Sequence, residues 1–519
     1  MQVNNPIFCV NHRQEVAWAV ILFAAAFLFY ALFQNDIQGY DIWWHIETGR
    51  LILNDHFPKS DIYSHTAYGR PWVLHEWGSE IIFYLLYSRF GFSGLIWIKS
   101  MTAASAALLM FLILKMRSRL IVGRNLCLLV TVFALIGFHK TWGFRPQIFS
   151  LPFFLLLIYL IGRWEQEKRS ALLVAIPLMF VVWVNLHGGY FIGLIYIGIH
   201  IAGKVVGRRF DSGKFRFDKK LVLVFFSSIL MCLVNPNGVA SLLYPLAYRS
   251  NAQIPLNFIA EWYPASMSNS QYYFVFILML IAVLYFSRRA SSLPEIMLLV
   301  FFNYYAIKHH RLTANAIAVS MPFFFDKINE LYARMVKPDR NLALLSSDAG
   351  IPTEATQGEE NSPEPLNRRY RYFYYLLVPT LVLSMVFVSA MIFAGKGKVI
   401  LKSEIKKLKY PLENIAVLKK SGTPGNLFNQ YRYGGLIILQ LPGKKVFIDG
   451  RIDVYGPDIA DEYDTVLEMK DGWQEIMKKY NISHVLVDKM TPLGKFLGRI
   501  DHRWKLAAED NISVIYVKR

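Results

Sequence analysis

Apolar segments recur along the chain up to about Ala394, separated by short polar stretches. Their approximate limits are 16–33, 95–114, 125–138, 147–162, 170–184, 188–203, 221–234, 272–286, 293–307, 312–325 and 373–394. The pattern predicts about eleven membrane spans. Several fall short of the ~20 residues that a full crossing needs. Short spans are tolerated where polar residues at a helix end face a cavity. Ser79–Phe90 is apolar and aromatic but short, and reads as an interfacial helix or an extension of the second span. Val16–Phe33 is too long for a signal-peptide core, and no small-residue cleavage site precedes Asn35, so it reads as a retained span.

The pattern changes after residue 337. Residues 338–372 are rich in Ser, Pro, Glu and Gly and predict a disordered cytoplasmic linker. A last transmembrane helix follows at 373–399. From 400 to 519 the sequence is that of a small soluble α/β domain. Leu436–Leu439, Val446–Ile448, His484–Val487 and Ser513–Val517 read as strands, and Ile459–Met469, Trp473–Tyr480 and Pro492–Leu497 as helices. The expected fold class is therefore a membrane all-α multi-span bundle, residues 1–337, followed by a small α/β domain.

Composition agrees. Of 519 residues 54% are hydrophobic and only 18% charged, against roughly 25% charged in soluble proteins. A soluble enzyme, a disordered chain and a disulfide scaffold are excluded. The net charge of +19 sits mostly in loops on one side. Lys115–Arg124, Arg163–Arg169, Lys204–Lys220 and the Arg288/Arg289 pair alternate to the same face, which the positive-inside rule makes cytoplasmic. The excess faces anionic membrane lipids, not nucleic acid. With eleven spans the C-terminal domain lies outside, in a multi-pass protein of the inner (cytoplasmic) membrane. Cys9, Cys127 and Cys232 form neither a metal motif nor a disulfide framework.

The first outer loop, 34–78, holds four of the twelve histidines and four of the twelve tryptophans. On a helix starting at Asp41, Asp41 and His45 share a face at i, i+4. Trp43 and Trp44 suit the lipid headgroup level. Asp61 is a second acid, equally suited to a turn. The adjacent His75 and Glu76 could shuttle protons, contact a sugar or bind a divalent metal.

The other outer loops add Arg145 at a span boundary, where a guanidinium can clamp a phosphate. Asn185 and His187 interrupt an apolar stretch, where polar groups are costly unless they face a polar cavity. Glu261 is a further acid. Lys308, His310 and Arg311 form a basic cluster on a face normally poor in Lys and Arg. In the C-terminal region Asp449 and Arg451 suit either a ligand contact or an Asp–Arg network that fixes a turn.

Acids, histidines, arginines and aromatics thus gather on one face at the ends of many short spans. That arrangement suits a lipid-linked anionic donor, with its phosphate at Arg and Lys and its sugar on aromatic rings. A carboxylate would deprotonate the acceptor.

At these residues the chain resembles a bacterial membrane-protein family of the GT-C glycosyltransferase type. The motifs are DIWWHIETG (Asp41–Gly49), FPKSDIYSHTAYGRPWVLHEW (Phe57–Trp77), RPQIFS (Arg145–Ser150), WVNLHGGYFIGL (Trp183–Leu194), NPNG (Asn235–Gly238), EWYP (Glu261–Pro264) and FIDGRIDVYG (Phe447–Gly456).

The resemblance implies a polyprenyl-phosphate sugar donor, inversion at the anomeric carbon, and a glycan, lipid or protein acceptor. Asp41 would be the catalytic acid of the first loop, with His45 and Asp61 beside it. Arg145, His187, Lys308, His310 and Arg311 would hold the lipid phosphate. Trp43, Trp44, His75, Glu76, Asn185, Glu261, Asp449 and Arg451 would contact sugar or acceptor. The chain departs from protein O-mannosyltransferases, which carry an Asp-Glu pair in this loop where Asp41 is followed by Ile42. No cofactor is indicated with certainty. A divalent cation, Mg or Mn, stays open, and its ligands are unknown. A lipid-linked sugar flippase and a non-catalytic envelope assembly protein are the alternatives.

Overall fold

The computed structural model describes residues 12–33, 39–118, 123–138, 143–212, 217–250, 262–287, 290–336, 383, 410–421 and 425–519. The helical part runs α1 (His12–Phe33), α2 (Ile42–Leu53), α3 (Trp77–Phe90), α4 (Phe92–Arg117), α5 (Gly123–Phe138), α6 (Ser150–Glu167) and α7 (Ser170–Leu186). It continues with α8 (Tyr190–Ser212), α9 (Lys219–Met231), α10 (Val239–Ser250), α11 (Met267–Phe286), α12 (Leu293–Lys308) and α13 (Thr313–Val336). Each of the first ten expected spans falls on one of these helices. Among the described residues four helices are long and apolar enough to cross a membrane: Phe92–Arg117, Pro146–Glu167, Tyr190–Phe210 and Met267–Phe286. Val16–Leu32, Leu126–Phe138 and Ser170–Leu186 are shorter apolar helices. The expected eleventh span and the linker before it lie outside the described residues.

α4 is the centre of the bundle and packs against α1, α3, α5 and α6. Its Ala103, Ala104, Ala106 and Ala107 are fully buried. Small side chains let helix backbones approach closely, and dispersion then holds them where lipid offers no hydrophobic drive. α3, with 14 residues, is too short to cross. It packs beside α2, and the approach is close at Gly49, where a Cβ would fall 2.1 Å from the Glu80 carbonyl oxygen.

The C-terminal unit comprises α14 (Leu412–Ser421), β1 (Asn426–Asn429), α15 (Gly434–Gln440), α16 (Ile452–Leu467), α17 (Trp473–Lys479), β2 (Ile482–Asp488), α18 (Pro492–Ile500), β3 (Trp504–Glu509) and β4 (Ser513–Lys518). Its sheet order is β1-β2-β4-β3, parallel at β1/β2 and antiparallel elsewhere. Two expected strands differ. Leu436–Leu439 lies in α15, whose Gly434–Ile438 is wholly buried. A short apolar run carries no period that separates strand from buried helix. Val446 pairs only with Ser64 of the first loop, outside the sheet.

That pairing docks the unit onto the loop. The Val446 N–H donates to the Tyr63 carbonyl and the His65 N–H to that of Val446, at 2.9 and 3.1 Å. α15 rests on α2, where a Cβ on Gly435 would fall 2.8 Å from the Tyr40 carbonyl. The first loop and the C-terminal domain are therefore on the same side of the bundle. Trp43 and Trp44, expected at lipid headgroups, are instead buried in this junction. Trp43 donates to the Tyr410 hydroxyl at 2.7 Å.

Candidate functional site

Asp41 immediately precedes α2 and makes no side-chain cap. Its carboxylate turns instead to Arg145, with Oδ2 2.9 Å from Nε. Arg145 is extended backbone just before a 3-10 turn, Pro146–Phe149, which leads into α6. Thus two residues 104 positions apart meet where two helices begin. The domain above approaches closely. A Cβ on Gly450 would fall 1.8 Å from Asp41 Oδ1 and 3.2 Å from Trp44 Nε1.

One turn along α2, His45 enters a second cluster. Its Nδ1 lies 3.1 Å from Glu80 Oε1, and its Nε2 3.8 Å from Glu76 Oε2. The other Glu76 oxygen is 3.6 Å from His75 Nε2 and 3.5 Å from His187 Nε2. One carboxylate is ringed by three imidazoles. The Gly189 N–H donates to His187 Nδ1 at 3.0 Å, so a neutral His187 carries its proton on Nε2, toward Glu76. His75 Nδ1 lies 3.2 Å from the Val73 carbonyl and is its donor.

Burial and charge separate these groups. Burial pushes His45 down to about 3, so it is neutral at pH 7. Burial works to raise Glu76, but His75, His187 and His45 outweigh it and hold the carboxyl well below its usual range. His75 is lowered by burial, yet the Glu76 carboxylate carries it above its ordinary value. Burial, then the charge of Glu76, pushes Glu80 well up. Glu76 and Glu80, one helical turn apart, are thus driven to opposite protonation states. Such a split is what acid–base chemistry uses. Among the described residues no group of three or more His, Cys, Asp or Glu has metal-holding geometry.

The other expected site residues are placed differently. Asp61 is fully buried and saturated: it accepts from the Tyr63 and Ser64 N–H groups and the Ser64 hydroxyl, and pairs with Arg451 at 2.7 Å. Arg451 also grips Asp449 through two nitrogens, at 2.9 and 2.6 Å, and lies over the rings of Tyr63 and Trp72. Tyr455 donates to the same Asp449. These three residues join loop to domain, Asp61 from the loop and Asp449 and Arg451 from the domain. The Asn185 amide is taken up by protein as well. It accepts from Trp77 and donates to the Val181 and Val234 carbonyls, so it ties α7 to α3.

Lys308 lies over Tyr304 and Arg311 over Trp262, while the His310 N–H donates to the Tyr263 carbonyl. The structure thus sets this basic cluster against the 262–266 segment. Glu261 lies outside the described residues.

Sequence reasoning missed Glu80, Ser150 and Gly450. Ser150 accepts from Trp183 Nε1 and lies 2.6 Å from His187 Nδ1. Asp453 accepts from Tyr244, whose ring stacks on His75. Glu80 carried a signal: a lone acid in an apolar helix is costly unless it is used.

No protein-family profile matches the chain, and no curated protein sequence matches it. Solved structures do. One is the oligosaccharyltransferase AglB from Archaeoglobus fulgidus, in complex with an inhibitory peptide and a dolichol-phosphate. It has a TM-score of 0.56 at 12% identity, over 92% of this chain and 70% of that one. Another is ArnT from Cupriavidus metallidurans bound to undecaprenyl phosphate, with a TM-score of 0.50 at 14% identity, over 96% and 97%. At such identities the likeness is one of fold. The chain shares the fold of these structures, with four helices long and apolar enough to cross a membrane among the described residues and a small C-terminal sheet domain.

Proposed function

We propose that the chain is an inverting glycosyltransferase, acting on the outer face of the cytoplasmic membrane. It would move a sugar from a polyprenyl-phosphate-linked donor to a glycan, lipid or protein acceptor. The observation that carries this reading is the Asp41–Arg145 pair, a carboxylate not used as a helix cap, set under the Gly450 turn. Support comes from the fold, shared with two proteins solved with dolichol-phosphate and undecaprenyl phosphate.

Arg145 would turn from Asp41 to the donor phosphate as the lipid arrives. The freed carboxylate would take the proton of the acceptor hydroxyl. The acceptor oxygen then bonds to the anomeric carbon, and the bond from that carbon to the phosphate oxygen breaks. The polyprenyl phosphate leaves with the electron pair, its charge met by Arg145. Glu76 and its histidines, adjoining through His45, would carry the proton away.

The outer placement of the C-terminal domain has its own support. The domain packs on the loop after the first span, so both share a side. Ten spans return the chain to the side of its N-terminus. One further crossing is needed, as the apolar segment 373–399 would provide.

The test is transfer of sugar from a polyprenyl-phosphate donor fraction by the purified full chain. Asp41→Asn should lower the rate about 10²- to 10⁴-fold, the usual worth of a positioned base. Its thermal stability should stay near wild type. Full activity in a folded variant would end the assignment of Asp41.

A further inference from the structure

A cavity of about 540 Å³ opens between the C-terminal ends of α4, α6 and α8, the N-terminal end of α12 and the middle of α13, on the side away from the first loop. That volume lies within the roughly 300–1,000 Å³ of small-molecule sites. Its inner wall is apolar: Ile113, Ile158, Leu298, Val319 and Phe323. Its rim is charged, and both signs are present. Arg117, Lys204 and Arg208 face the space together with Glu165 and Glu295.

The pairing at this rim decides which ligand fits. Arg117 lies 3.5 Å from Glu295 and 2.6 Å from Asp326, which stands outside the lining. Glu165 holds Lys204 and is 3.0 Å from His200. Three cations and two carboxylates line the space, and Asp326 offsets most of the remaining charge. A purely anionic headgroup gains little net attraction here and meets two carboxylates. A headgroup with both a phosphate and a primary ammonium meets complementary groups on both sides. The ammonium N–H groups would donate to Glu165 and Glu295, and charge-assisted bonds of this kind are the strong ones. The apolar wall would take the start of the acyl chains, at the depth where such chains begin.

We infer that this cavity is a binding site for one zwitterionic phospholipid with an ethanolamine-type headgroup, at the cytoplasmic face and apart from the Asp41 site. The phosphate sits among Arg117, Lys204 and Arg208, and the ammonium between the two glutamates. A lipid held there ties together these five helices.

The test uses the full chain in nanodiscs of equal parts phosphatidylethanolamine, phosphatidylcholine and phosphatidylglycerol. The protein is then moved to detergent and washed, and the lipid retained per chain is measured by mass spectrometry. Phosphatidylethanolamine should be kept about tenfold over either other lipid, because phosphatidylcholine has no N–H or O–H donor and phosphatidylglycerol offers the carboxylates only neutral hydroxyls on an anionic headgroup. Two variants check the place. Arg208→Gln weakens the phosphate contact. Gly207→Leu fills the space, and its Cβ meets only the Leu293 Cβ at an ordinary 3.7 Å, so the fold is spared. Both should lower retention about tenfold, with an unfolding temperature equal to wild type once the lipid is stripped from all three proteins.

Equal retention of phosphatidylglycerol would overturn the zwitterion reading. Release of the lipid by millimolar inorganic phosphate alone would overturn it too, since free phosphate would then satisfy the site. Undiminished retention in both variants would make the lipid annular and sink the proposal.

Discussion

Two clusters of buried charge lie side by side above the bundle, and they use the same residue types differently. In one, Asp61, Arg451 and Asp449 are sealed, with side-chain exposures of 0, 1 and 0%. Backbone N–H groups, hydroxyls and the guanidinium saturate both carboxylates. In the other, Asp41 and Arg145 keep exposures of 16 and 25%, and Glu76 stands 3.5–3.8 Å from three imidazoles. The carboxylates of the first network are fully engaged, and one guanidinium nitrogen, Arg451 Nη1, stays buried without a hydrogen-bond partner among the described residues. A cluster that reaches solvent can meet a ligand from outside. The first joins loop to domain. The second is where chemistry can occur.

The sharpest way to break this contrast is at Arg451. Arg451→Met leaves two buried carboxylates facing each other without their cation. The loss of one partner of a buried pair should cost about 3–5 kcal/mol. Thermal unfolding, or proteolysis of the junction in the intact chain, would register it. A variant as stable as wild type, with the domain still docked, would mean that Arg451 is not the clamp.

Much of the fold could be read from the sequence, because long apolar runs report helices directly. Asp41 and Arg145 could be singled out too, since each sits in a polar context at a span end. The clamp could not be assigned. Asp61 and Arg451 stand 390 positions apart, and nothing local to either says which side chain will neutralise it. The same applies to Trp43 and Trp44. Headgroup level and buried junction suit a tryptophan pair equally until the covering domain is known. Leu436–Leu439 failed for a different reason: its first three residues are buried and the fourth partly so, so neither period shows.

A second contrast lies in proton uptake. His45 is held down to about 3 by burial, below its ordinary 6.5. A histidine depressed on folding contributes stability that is present above pH 6.5 and lost as pH falls toward 3. Glu76, held low, loses its contribution only below its ordinary 4.5. His75, held high, changes only above 6.5. From pH 6.5 to 5, His45 loses stability together with His65, which burial lowers to about 4, while Glu80, held high, works the other way. The share that His45 contributes is at most about 2 kcal/mol, 1.5 pH units at 1.36 kcal/mol each. His45→Gln should flatten that slope in thermal unfolding. A slope unchanged in the variant would assign the acid sensitivity elsewhere.

The smallest effect is also the finest comparison, between the two adjacent tryptophans. Trp43 Nε1–H is satisfied by Tyr410 within the junction. Trp44 Nε1–H is buried without a hydrogen-bond partner among the described residues, next to Asp41 and Gly450. A buried donor left open is costly unless something else accepts from it. Trp43→Phe should therefore lose about 1 kcal/mol of stability and leave transfer intact. Trp44→Phe removes no protein hydrogen bond, so its unfolding temperature should move less. If Trp44 donates to the bound sugar or acceptor, its KM should rise while kcat holds. Should both variants lose stability equally and neither change KM, the orphan donor would belong to the junction, and the line between sealed and working clusters would have to be drawn closer to Asp41.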